Sequence, residues 1–266
     1  MREVSFLGPA SLADAVRLFR ENPGCRPIAG GTDLMVMLHA GALRPAPTAL
    51  LDLWSLSELK GCRQADGMIE IGAAEPYTGI IRSPVVREHL PALVAAAHTI
   101  GAAQIQNRGT LGGNLANASP AGDTLPVLLA YDAIVVTDRR RIPIDSFFVG
   151  YRQTALQPDE LIVAVHFPLD QRVVRFRKVG TRAAQAISKV VMAVSVEPAR
   201  IAVGSVAELP LRAPKAEAAL ARRDIEGAVA AIAADVRPID DVRSTATYRR
   251  QVTQNVLRAL FAERFP

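Results

Sequence analysis

The sequence predicts an α+β fold in which a larger domain, residues 1–170, precedes a smaller one, residues 171–266. Three observations carry that expectation. Half of the 266 residues are hydrophobic, enough for one large core or two moderate ones. Short strand-like and helix-like stretches interleave through the first two thirds with no internal repeat. Near residue 170 the pattern changes to strand-like stretches followed only by helical ones.

In chain order, residues 11–21 read as a helix: Ser11 with Asp14 supplies a capping box, and Val16, Leu18 and Phe19 an apolar face. Pro27-Ile-Ala is a short strand running into Gly30-Gly31, and Asp33–His39 a short helix after that turn. Ala49–Leu53 and Met68–Gly72 read as strands, and Pro91–Ala103 as a buried, Ala-rich helix. Residues 107–123 have no clean period and are rich in Gly, Asn and Ser, so they read as a long loop between two apolar segments. A stretch of that kind inside a compact domain is usually functional. Thr124–Tyr131 reads as a helix, and Ala133–Thr137 and Leu161–Phe167 as strands. Beyond residue 170, strands are expected over 173–179, 190–196 and 201–206, and helices over 213–222, 224–234 and 246–262. In the last helix Tyr248, Val252, Val256 and Leu260 recur every fourth residue beside Leu257 and Phe261, the face of an amphipathic helix on a small sheet.

Composition excludes several classes. The net charge is +5, only four of the basic residues are Lys, and aromatics are 5%. Nucleic-acid binding calls for clustered basic residues interleaved with aromatics. The one dense run, Arg139–Arg141 beside Asp138, reads as a solvated hairpin turn. An Arg-rich surface suits an acidic partner or phosphate groups. Leu90–Gly101 and Leu125–Val136 are too short and too interrupted to span a membrane, and no apolar signal region follows Met1, so the cytoplasm is the expected location. Cys25 and Cys62 can make neither a disulfide framework nor an iron–sulfur cluster, which takes four thiolates. His39, His89, His98 and His166 lack metal-ligand spacing, and there is no Gly-x-Ser-x-Gly.

Two glycine pairs remain: Ala29-Gly-Gly-Thr-Asp-Leu34 and Thr110-Leu-Gly-Gly-Asn114. Adjacent glycines admit positive φ and close approach to a ligand, and their successive N–H groups can cradle an anion. Thr32, Thr110 and Asn114 can add side-chain bonds. Neither segment is a G-x-G-x-x-G or a P-loop. Facing each other, the two could clasp a pyrophosphate; separately, each could be a tight strand-to-helix turn.

The longer string Gln106-Asn-Arg-Gly-Thr-Leu-Gly-Gly-Asn-Leu-Ala-Asn-Ala-Ser-Pro-Ala-Gly-Asp-Thr-Leu-Pro126 resembles the signature of the FAD-binding subunits of molybdenum hydroxylases, the xanthine dehydrogenase and carbon monoxide dehydrogenase type. Ile28–Leu34, Ile71-Gly-Ala-Ala-Glu-Pro-Tyr-Thr78 and Asp159-Glu-Leu-Ile162 resemble it in the same order, as do Phe176-x-Lys178-x-x-x-Arg182 with Ile187-Ser-Lys-Val, and Arg243-Ser-x-Ala-x-Tyr-Arg249. The likeness covers nearly the whole chain.

The resemblance implies a vanillyl-alcohol-oxidase-type FAD domain of two α+β subdomains, about 1–53 and 54–170, then a C-terminal α+β domain of the CO dehydrogenase flavoprotein type. It implies FAD, expected to be non-covalent because neither glycine loop holds a His or Cys, with molybdopterin and [2Fe-2S] clusters on a large and a small partner subunit in a heterotrimer or a dimer of heterotrimers. Ile28, Ala29, Gly30, Gly31, Thr32, Asp33 and Leu34, with Thr110, Leu111, Gly112, Gly113 and Asn114, would hold the pyrophosphate. Asp123 would anchor the ribityl or ribose region, Ile100 would pack near the flavin or adenine, and Leu161 and Ile162 would present backbone groups to the adenine. Lys215 would place a base near the flavin carbonyls. Asp123 could equally cap the helix at Thr124. Lys178, Arg182 and Lys189 are either surface charges or cations that stabilise the reduced flavin. The segment Glu197-Pro-Ala-Arg200 leaves little room for a hairpin, and no extra cysteines serve an iron–sulfur insertion. The expected role is electron transfer to NAD+, a quinone or dioxygen, with no catalytic side chain. The alternatives are a stand-alone FAD oxidoreductase acting directly on a small molecule, and a non-catalytic nucleotide-binding module.

Overall fold

The computed structural model describes residues 4–180 and 188–262. Its first unit is a three-stranded parallel sheet of order β1-β3-β2, built from β1 (Ser5–Leu7), β2 (Arg26–Ile28) and β3 (Ala49–Asp52). Helix α1 (Leu12–Glu21) crosses from β1 to β2 and α2 (Leu34–His39) follows β2. Ser11 caps α1 by accepting from the Asp14 N–H at 3.1 Å, and the Asp14 carboxylate accepts from the Ala10 N–H at 3.1 Å. The reciprocal bond thus goes one residue further upstream than in a standard capping box. Ala15 and Phe19 bury the inner face of α1 against Leu51 and Leu53.

Next come β4 (Cys62–Ala65) and β5 (Met68–Gly72), then α3 (Tyr77–Arg82), α4 (Pro84–His89), α5 (Pro91–His98), α6 (Ala103–Gln106), α7 (Leu111–Asn117) and α8 (Leu125–Ala130). The chain returns through β6 (Ile134–Thr137), β7 (Arg141–Pro143), β8 (Phe148–Gly150), β9 (Gln153–Thr154) and β10 (Ile162–Pro168). Five of these strands form an antiparallel sheet of order β4-β5-β10-β6-β7, while β8 and β9 pair separately. Alternate residues Ile69 and Ile71 of β5, and Val165 and Phe167 of β10, are fully buried, the period-two pattern of a one-sided sheet.

Two expectations need correction here. The buried helix expected over 91–103 stops at His98, where Thr99 bonds back to Ala96, and positive-φ Gly101 turns the chain before α6. The irregular loop expected over 107–123 contains a helix, α7. Thr110 caps it by accepting from the Gly113 N–H at 3.0 Å, Leu111 and Leu115 anchor one face, and Ala118 ends it in the left-handed region. Gly, Asn and Thr obscured a period that buried leucines four apart sustain.

The last unit is the antiparallel sheet β11-β12-β13-β14, from β11 (Val174–Gly180), β12 (Ser188–Ser195), β13 (Arg200–Gly204) and β14 (Leu211–Arg212), with α9 (Pro214–Leu220), α10 (Ile225–Asp235) and α11 (Ala246–Ala262). Glu197-Pro-Ala-Arg200, read as too short for a hairpin, links β12 to β13 as one, with Ser195 opposite Arg200. Val190, Met192, Val194, Ile201 and Val203 face the helices, whereas Ala193 and Ala202 join the core of the preceding domain. These small side chains let α8 lie close against β12 and β13. Every residue of α8 is buried, which explains its all-round apolar sequence. Asp132, just beyond α8, accepts from Arg172 and Arg200 at 2.7 and 2.9 Å, and Arg212 approaches to 3.4 Å. Among the described residues no helix is long and apolar enough to cross a membrane.

Candidate functional site

The two glycine segments meet. A Cβ built on Gly30 would lie 1.5 Å from the Arg108 carbonyl oxygen and 2.3 Å from its carbon, so only a glycine lets the first loop touch the second. Gly31 has φ +74°, the left-handed conformation that glycine supplies without strain. Among the described residues the main-chain N–H groups of Gly31, Thr32, Asp33 and Leu34 make no hydrogen bond, and successive free N–H groups suit an anion. The second loop differs from expectation. Gly112 and Gly113 lie in α7 without positive φ. The Gly112 N–H donates to Ala73 O at 3.0 Å and the Gly113 N–H to Thr110 Oγ1. The missing side chains matter instead: Gly112 packs against Ala73, while the Cβ direction of Gly113 is open except for Thr110 Oγ1.

Around this junction lies a cleft of about 890 Å³. Of the residues expected at a ligand site, Ile28–Leu34, Ile100, Thr110, Gly112, Gly113, Asn114, Asp123, Leu161 and Ile162 line it. Leu111 does not; it is wholly buried and anchors α7. Lys215 does not either. It sits in the first turn of α9, where its N–H meets the Asp235 carboxylate at 3.3 Å, and the sheet β11–β14 separates that helix from α8. Leu161 lines the cleft, but Asp138 already takes both its N–H, at 2.8 Å, and its C=O, at 3.0 Å.

Asp123 neither caps α8 nor stands free. It is 6% exposed and accepts from Lys178 Nζ at 2.6 Å and from the Ser188 hydroxyl. Lys178 also donates to Thr99 O at 3.0 Å. Burial pushes the Asp123 carboxyl up, and Lys178 only partly offsets it. The pair joins the floor of the cleft to β11 and β12. Lys189 stands over the Tyr248 ring at 5.1 Å, and Arg182 lies outside the described residues. Asn114 accepts from the Thr124 hydroxyl at 3.1 Å. Glu160 is held by Arg140, Thr137 and the Gln157 N–H, and Arg140 keeps its carboxyl down at about 2. Arg139 meanwhile pairs with Asp159, so the basic run fastens the β6–β7 turn to the segment before β10.

Sequence reasoning assigned no role to Tyr77, Arg44, Arg152 or Arg243, which also line the cleft. Tyr77 is buried, makes its N–H bond to Gly109 O, and leaves its hydroxyl without a partner among the described residues. Tyr77 and Arg243 lay inside the strings that resemble the family; nothing local marked Arg44 or Arg152. With Asp123 and Glu160 neutralised, Arg26, Arg44, Arg152 and Arg243 outnumber Asp33 as cleft-lining charges, which favours a polyanionic ligand. A pyrophosphate-bearing cofactor fits this combination of free N–H groups, basic lining and a side-chain-free wall at Gly113.

Residues 2–170 match the FAD binding domain in molybdopterin dehydrogenase, and residues 175–264 match the CO dehydrogenase flavoprotein C-terminal domain. The xanthine dehydrogenase FAD-binding subunit of Escherichia coli O157:H7 is 32% identical over 97% of this chain and 95% of its own length. The carbon monoxide dehydrogenase medium chain of Hydrogenophaga pseudoflava is 32% identical over 96% of this chain and 94% of its own. The structure of carbon monoxide dehydrogenase from that organism, lacking the Mo-pyranopterin moiety, superposes with a TM-score of 0.90 over 97% of this chain and 95% of the other, at 29% identity. The glycine junction, the basic cleft and these matches along both halves agree, and the chain belongs to the FAD-binding medium subunits of the molybdenum hydroxylases, an oxidoreductase family.

Proposed function

We propose that this chain is the electron-transfer flavoprotein of a three-component hydroxylase. A large partner subunit carries the molybdenum cofactor and a small one the [2Fe-2S] clusters, in a heterotrimer or a dimer of heterotrimers in the cytoplasm. The flavin supplies a centre that exchanges electrons singly or in pairs, and the protein tunes its position and potential. The observation that carries the reading is the Gly30–Arg108 contact, which brings both glycine loops to one cleft. In this assignment Gly31–Leu34 present N–H groups to the pyrophosphate and Gly113 leaves it room. Ile100, Leu161 and Ile162 form the apolar walls, and the Asp123–Lys178 pair supports the floor where residues 1–170 meet 171–266. Two cysteines cannot supply the four thiolates of a cluster, so electrons enter from another chain and leave to NAD+, a quinone or dioxygen.

The test starts with the purified chain. It should hold one FAD, released by acid precipitation because no His or Cys is among the cleft-lining residues described. The chain alone should show at most slow diaphorase activity, and hydroxylation only with iron- and molybdenum-containing partners. Absence of flavin would make it a non-catalytic module. Rapid oxidation of an organic substrate by the chain alone would make it a stand-alone oxidase.

A further inference from the structure

Arg243 is the one described residue of the C-terminal unit that lines the cleft. It lies in the connection between α10 and α11, in a turn closed by reciprocal main-chain bonds between Asp241 and Ser244. The Asp241 carboxylate accepts from the Arg243 N–H at 2.8 Å and the Ser244 N–H at 3.2 Å. It also accepts from Arg249, which is 3% exposed and whose other nitrogen donates to Ser205 O at 3.2 Å. Ser205, a non-glycine residue at φ +66°, donates its own N–H to Pro120 O at 2.8 Å. A chain of bonds therefore runs from the turn through a buried guanidinium to the 119–122 segment, which lines the cleft at Ser119, Ala121 and Gly122. Arg243 itself spends only its N–H on the turn. Among the described residues its guanidinium has no carboxylate partner.

We propose that Arg243 is a phosphate-binding cation that the C-terminal domain contributes across the cleft. Its ligand is a dinucleotide phosphate, either that of FAD or that of a dinucleotide electron acceptor sharing the opening. The proposal rests on the FAD reading above. An immobilised turn, a buried arginine committed to holding it, and a fork-shaped donor left free are what bidentate phosphate recognition needs.

The experiment uses the full chain as wild type, Arg243→Gln and Arg243→Lys. FAD affinity of the apoprotein is measured by fluorescence quenching, and the KM for NADH by diaphorase assay of the FAD-loaded protein. Circular dichroism should show all three equally folded, since the side chain is exposed and the turn is made by the main chain. If the ligand is FAD, Arg243→Gln weakens its binding at least tenfold and Arg243→Lys recovers part of the loss. If it is the acceptor, FAD affinity is unchanged and the KM for NADH rises at least fivefold. Unchanged FAD affinity and unchanged KM in Arg243→Gln would overturn the proposal. Wild-type protein that binds no FAD would instead overturn the FAD reading.

Discussion

Replacing Gly30 with Ala isolates the contact between the glycine loops. The new Cβ would sit 1.5 Å from Arg108 O, 2.3 Å from Arg108 C and 3.1 Å from Gly109 N. Real Cβ contacts essentially never fall below 3.0 Å, so one loop must retreat by about 1.5 Å. All three atoms belong to the main chain, so no side chain can rotate aside. Gly30 has no positive φ, and the cost is therefore steric and not torsional. Overpacking of this kind costs about 1–3 kcal/mol, and rigid neighbours put it near the upper end. At about 2–4 °C per kcal/mol for a domain of this size, Tm should fall by roughly 6–12 °C. Flavin binding should fall further, at least tenfold, because the loops part at the point where a pyrophosphate would bridge them. The flavin-to-protein ratio, FAD titration and thermal melting on one preparation measure all three quantities. Full flavin content with an unchanged Tm would refute the contact and the cleft built on it.

Gly113→Val should act in the opposite proportion. Only Thr110 Oγ1, at 2.9 Å, crowds the new Cβ, so circular dichroism should stay native and the strained cap should cost about 1 kcal/mol, while bound flavin falls at least tenfold. Glu160→Gln tests the bond of this buried carboxylate to the exposed Arg140. The Glu160 carboxyl is held at about 2 against an ordinary 4.5, so its stabilisation is present above pH 4.5 and is lost as pH falls through 2. The variant should be less stable than wild type in denaturant unfolding at pH 7, by about 1–3 kcal/mol, and the gap should close towards pH 2. Lys178→Met should cost about 3–5 kcal/mol in denaturant unfolding by stranding the buried Asp123 carboxylate, and adding Asp123→Asn should recover part of that. Strict additivity of the two changes would show that the pair contributes nothing as a pair.

Much of the fold was legible because its signals are local. The Ser11 cap, the alternation of Ile69 and Ile71 and the fourfold spacing in the last helix each depend on residues within a few positions of one another. The glycine pairs were legible for the same reason. Helix α7 was not, because its glycines and asparagines carry low helix propensity and its support comes from packing on distant residues such as Ala73. The end of α5 at His98 was hidden by an apolar run that continues past it.

The sequence by itself determined many of the elements, though not, among others, β4, α3, α4, α7, β7–β9 or β14, together with the two glycine loops, the scarcity of thiolates and the family to which their combination points. The tertiary structure decided what each charge does. Asp123 was equally a cap or a ligand until folding brought Lys178, 55 residues away, and Ser188 to its carboxylate. Lys215 was a cation near the flavin until its helix took the far side of the sheet. Arg243 belonged to a string that resembles the family but had no role until the Asp241 turn set it at the cleft. Local pattern encodes helix, strand and turn because those bonds form between near neighbours. The partner of a long charged side chain is set by how whole layers stack, and no short stretch of sequence contains that information.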